Sequence, residues 1–66
     1  MAASYKKLFK MLIDREMKSK ELAKLANVSP ATIAKMGKNE YVKLETLAMI
    51  ADYFDVQIGD LVEIIK

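Results

Sequence analysis

Lysines carry most of the chemistry that this sequence can do. The chain has 66 residues, with 11 Lys and Arg against 9 Asp and Glu, and neither His nor Cys. Disulfides, thiol chemistry and the usual zinc sites are therefore excluded, and a reducing cytoplasm is the expected location. A catalytic base would have to be a carboxylate or a lysine. Asp52 and Asp55 stand three residues apart near the end of a helical run, where solvated carboxylates explain them better than acid–base work. Gly37 and Gly59 are isolated, so no glycine-rich phosphate loop exists. These features indicate neither an enzyme nor a cofactor. Ammonium groups, hydroxyls and amides together are suited to holding an anion.

The placement of charge points the same way. Up to and including Lys43, ten basic residues stand against four acidic ones, a balance of +6; beyond it Lys66 stands against five, a balance of −4. One block can attract a polyanion while the other repels it. Lysines that merely solvate a small helical protein would look similar, so charge alone does not decide.

The elements that must position these groups follow from apolar spacing. Tyr5, Leu8, Phe9, Leu12 and Ile13 predict a helix over Ser4–Glu16 capped by Ser4. Leu22, Leu25 and Ala26 predict a short helix over Ser19–Ala26, and Ile33 with Met36 a third over Pro30–Met36. Leu44, Leu47, Ala48, Ala51 and Phe54 mark a fourth, and Ile58, Leu61, Val62 and Ile65 a fifth. The expected fold is all-α: a single compact domain of five helices over residues 1–66. No apolar stretch approaches the ~20 residues of a membrane span, and the start lacks a signal-peptide pattern, so no membrane partner is expected.

The stretch "LANVSPAT" interrupts the helical pattern in an informative way. Asn tolerates the left-handed backbone needed when one helix closely follows another at a steep angle, so Asn27 is expected to end the second helix. Val28 can then tuck between the helices, and Ser29 can cap the third by accepting from the Thr32 amide. Pro30 suits the first helical position, where its missing N–H is not needed. Gly37 is expected to cap the far end of that helix. With Leu22, Ala23, Ala26, Val28, Ile33 and Met36 at apolar or small positions, residues 19–37 read as a helix-turn-helix.

"YKKLFKMLID", "ELAKLANVSPATIAKM" and "LETLAMIADYFDVQIGDLV" resemble, in order and spacing, the short Cro/lambda-repressor-like (XRE) helix-turn-helix regulators of bacteria and their mobile elements. The resemblance spans nearly the whole chain. It implies a five-helix lambda-repressor-like domain that binds double-stranded DNA as a transcriptional regulator, usually as a homodimer. The sequence departs from the family pattern in three places: Asn27 stands where Gly is usual, Ser19 where Gln often braces a phosphate, and Lys43 where Ser or Thr commonly caps the fourth helix. The same fold also serves antitoxins and adaptors, so a toxin or other protein held by the acidic C-terminal half is the alternative partner.

Helical geometry names the candidate site residues. With Ile33 and Met36 inward, Ala31, Ala34, Lys35 and Lys38 point outward at about 100° per residue. Pro30, Ala31, Thr32, Ala34 and Lys35 are the candidates for reading bases in the major groove. Ser19, Lys20, Ser29, Lys38, Asn39, Tyr41 and Lys43 are the candidates for phosphates. Met49, Tyr53 and Ile64 lie off the apolar stripes and, with Ile65, form a candidate surface for pairing two copies through their C-terminal helices.

Overall fold

The computed structural model describes residues 2–65. Its elements run β1 Ala2–Ser4, α1 Lys6–Asp14, α2 Ser19–Leu25, α3 Pro30–Gly37 and α4 Leu44–Phe54, then a 3₁₀ turn at Ile58–Asp60 and β2 Glu63–Ile65. Among the described residues four α-helices are thus present where five were expected, and the two ends of the described chain meet as an antiparallel ribbon. Ala2 pairs with Ile65, Ala3 with Ile64 and Ser4 with Glu63.

The fifth helix fails for a physical reason. Its stripe at Ile58, Leu61, Val62 and Ile65 fits helical spacing, but a single 3₁₀ turn followed by a strand still buries Leu61 completely. Gly59 and the β-branched Val62, Ile64 and Ile65 disfavour a helix there, and β1 offers a strand partner. Among the described residues there is consequently no C-terminal helix through which two copies could pair. At the other end, Ser4 does not cap a helix that begins on it. It belongs to β1, and its hydroxyl accepts only a long 3.5 Å bond from the Lys6 amide, while α1 starts two residues later with Tyr5 as N-cap.

All four helices stop in the same way. Glu16, Asn27, Asn39 and Asp55 adopt left-handed φ angles of 53°, 57°, 58° and 58°. The next amide then reaches five residues back: Met17 to Leu12, Val28 to Ala23, Glu40 to Lys35 and Val56 to Ala51, at 2.9–3.0 Å. None of the four is glycine. Asn and Asp tolerate this conformation through local hydrogen bonds, whereas Glu16 has no such compensation. Gly37 therefore does not cap α3, as the sequence had suggested; it is the last helical residue, and Asn39 makes the turn.

The core draws on every helix and on the ribbon. Leu8, Leu12, Leu22, Ala23, Ile33, Met36, Ile50, Phe54 and Leu61 are buried together with Ala3 and Tyr5. Some residues placed on apolar stripes lie outside: Ile13 is 74% exposed, Leu25 52% and Leu44 69%. The Arg15 guanidinium sits over the Phe54 ring, 4.8 Å from its centroid, and joins the ends of α1 and α4. Lys7 donates to the Gly59 carbonyl at 3.3 Å.

Candidate nucleic-acid interface

The helix-turn-helix is built from local chemistry. At the start of α2, the Glu21 carboxylate accepts the Lys18 amide at 3.0 Å. Its negative charge also suits the positive end of the helix dipole. Asn27 supplies the left-handed residue and Val28 is buried between the helices. The Ser29 hydroxyl accepts from the Ala31 amide at 3.1 Å rather than from Thr32, whose amide donates to the Ser29 carbonyl instead. Pro30 occupies the first turn of α3. Such caps contribute roughly 1 kcal/mol each and fix the direction in which α3 leaves the turn.

Ile33 and Met36 anchor α3 in the core, while Pro30, Ala31, Ala34 and Lys35 are exposed and Thr32 is half-buried. A groove lies on each side. One, of about 370 Å³, is lined by Pro30, Ala34 and Gly37 of α3 and by Phe9, Ser19, Lys20 and Ala23 across from them. The other, of about 240 Å³, runs between Thr32 and Lys35 of α3 and Tyr41, Val42, Lys43 and Thr46. The exposed face of α3 thus stands between Ser19 and Lys20 on one side and Tyr41 and Lys43 on the other. Thr46 was missed from sequence; its signal is its place three residues after Lys43, in the first turn of α4.

Other candidates are engaged differently. Lys38 is exposed just past the end of α3. Asn39 turns its Oδ1 inward to accept the Tyr5 amide at 3.3 Å. Lys43 is the N-cap of α4 and makes no side-chain cap bond, so its ammonium is not spent on the helix end. Tyr5, which sequence assigned only to the core, donates its phenol hydroxyl to the Glu40 carbonyl at 2.7 Å. Burial pushes the Tyr5 phenol above its ordinary pKa of 10.0; a bond with the Val42 backbone opposes this shift, and the Tyr41 phenol adds to it. The proposed pairing residues lie on α4 and β2. Met49 is half-buried, Tyr53 is 41% exposed, Ile64 48% and Ile65 50%.

Two comparisons with known proteins agree with this geometry. The family model of the Cro/C1-type HTH DNA-binding domain matches residues 7–66. The crystal structure of the transcriptional regulator VanUg, form II, is 48% identical and superposes with a TM-score of 0.88, over 94% of this chain and 83% of that one. No curated protein sequence matches. No described helix is long and apolar enough to cross a membrane. With its helix-turn-helix geometry and a family match over residues 7–66, the chain belongs to the Cro/C1-type helix-turn-helix DNA-binding family.

Proposed function

We propose that the protein is a sequence-specific transcriptional regulator, acting as a repressor, that lays α3 in the major groove of duplex DNA. The observation that carries this reading is the exposed, small-residue face of α3, bordered on one side by a mainly apolar groove edged with Ser19 and Lys20 and on the other by Tyr41, Lys43 and Thr46. Pro30, Ala31, Thr32, Ala34 and Lys35 meet base edges. Alanine methyls pack on thymine methyls, and Lys35 donates to a guanine edge. Ser19, Lys20, Ser29, Lys38, Asn39, Tyr41 and Lys43 hold phosphates and set the register, with Thr46 added on the second wall. Ser29 and Asn39 accept bonds within the fold, but the Ser29 hydroxyl proton and the Asn39 amide hydrogens still have donors to offer. No step needs a catalytic group, and repression needs only occupancy of a promoter.

Reading and clamping separate by mutation. On a duplex selected from a random pool, Lys35→Ala is expected to cost roughly 1–3 kcal/mol and relax sequence preference. Lys43→Ala is expected to weaken all sequences about equally and flatten the salt dependence. Affinity measurements on matched and scrambled duplexes check both. If both variants lost only non-specific affinity, Lys35 would not read a base.

The working form is a homodimer. A helix of eight residues spans only a few base pairs, and Lys35 is the one strong donor on its exposed face. The exposed Tyr53, Ile64 and Ile65, with the half-buried Met49, supply the pairing surface from α4 and the β2 edge. A two-fold pair sets the two α3 helices about 34 Å apart on an inverted repeat. Sedimentation of the protein on its selected duplex should show two chains per site, and a single chain at saturation would contradict the dimer.

A further inference from the structure

We infer that Tyr5 is a positioning residue for DNA binding: it ties the terminal β-ribbon to the α3–α4 loop and so sets where the Tyr41–Lys43 wall stands. The inference rests on the reading of that wall as a phosphate clamp. The loop, residues 38–43, packs Val42 against the core and is otherwise exposed. Its first half is fixed to α3 by the amides of Lys38, Asn39 and Glu40. Among the described residues, the hydrogen bonds that tie it to any element other than α3 and α4 all involve Tyr5: its amide donates to Asn39 Oδ1 at 3.3 Å, its phenol hydroxyl donates to the Glu40 carbonyl at 2.7 Å, and the phenol oxygen also meets the Val42 backbone.

Tyr5 is itself immobilised. It is 1% exposed, caps α1, and directly follows Ser4, which pairs with Glu63 across the ribbon. The path of contact runs from β2 through β1 and Tyr5 to Asn39 and Glu40, and then along the backbone to Tyr41 and Lys43. Each link is a hydrogen bond or a covalent neighbour. Asn39 combines two roles at this point: its backbone is left-handed, at φ 58°, and its Oδ1 accepts the Tyr5 amide. The termini, far in sequence from the helix-turn-helix, thereby help place its second wall.

The test compares Tyr5→Phe with the parent protein on the selected duplex. The substitution keeps the buried ring and removes the phenol oxygen, leaving the Glu40 carbonyl to water. Affinity should fall roughly threefold to tenfold, the span set by one neutral hydrogen bond. The salt slope should flatten by about 0.9, one phosphate contact, with base preference unchanged. Amide exchange at residues 40–43 should accelerate while that of α2 stays as in the parent. A merely structural tyrosine would lower the melting temperature without moving the salt slope of the folded protein. Should Tyr5→Phe fold poorly, Asn39→Gly keeps the left-handed turn and removes the other bond, and faster exchange at 40–43 is again the expected result. Unchanged exchange and slope in Tyr5→Phe, beside a flattened slope in Lys43→Ala, would overturn the tether and leave the clamp standing. If Lys43→Ala has no effect, the clamp itself fails, while accelerated loop exchange in Tyr5→Phe still supports the tether.

Discussion

Ala34→Glu is expected to lower affinity for duplex DNA at least about 100-fold, nearly 3 kcal/mol, while leaving helix content and melting temperature close to those of the parent. Ala34 is exposed on α3 and lines the groove opposite Ser19 and Lys20. Glu is a good helix former, and no core atom is displaced, so the fold has little reason to respond. DNA does have a reason. The longer side chain fills the space in which α3 would approach the base edges, and its carboxylate faces a backbone that carries one negative charge per about 1.7 Å of helix axis. Ala34→Ser, small and neutral, should bind within about tenfold of the parent, close to the cost of one imperfect base contact. Circular dichroism and fluorescence anisotropy check the two halves. Ala34→Glu binding as the parent does would remove α3 from the interface.

What could be read from the sequence was whatever depended on neighbours in the chain. The turn at Asn27, the cap at Ser29 and the proline opening α3 all follow from local backbone chemistry, and the structure carries each of them with a one-residue change in the Ser29 partner. The lack of a side-chain cap at Lys43 followed from its type in the same way. The first helix was expected to end at Glu16, but the left-handed turns at Glu16 and Asp55 carried no signal of their own. Glu has no left-handed preference, and Asp55, which tolerates that conformation, is not followed by a Ser-Pro restart as Asn27 is. The C-terminal segment misled for a different reason. A short apolar stripe fits a helix as well as a strand, and β2's partner is β1, some sixty residues away in sequence. Tyr5 shows the same limit. Its ring fitted the α1 stripe, but its bonds to Asn39 and Glu40 span 34 and 35 residues.

The candidate site divides along the same line. Exposure of Ala31, Ala34, Lys35 and Lys38 was readable from two buried positions on one helix, Ile33 and Met36. That Tyr41, Lys43 and Thr46 form a wall facing Thr32 and Lys35 depends on how the 38–43 loop folds back, which no local pattern encodes. The charge asymmetry places most lysines in the half of the chain that carries the helix-turn-helix. It also overstates the basic surface there, since Arg15 lies over Phe54 and Lys7 reaches Gly59.

A pair of these chains gripping duplex DNA through lysines on both sides of α3 would show itself in the salt dependence of binding. Lys20, Lys38 and Lys43 from each of two copies would neutralise six phosphates and give a slope of log K against log salt of about −5.4. Affinity for the selected duplex should then fall about 2,000-fold between 50 and 200 mM salt; a single copy would lose only about 40-fold. The measurement is fluorescence anisotropy of a labelled inverted-repeat duplex across that range, with a scrambled duplex beside it. A slope near −5 with the scrambled duplex weaker throughout is the predicted result. A flat salt response, or no retained duplex even at the lowest salt, would contradict the account.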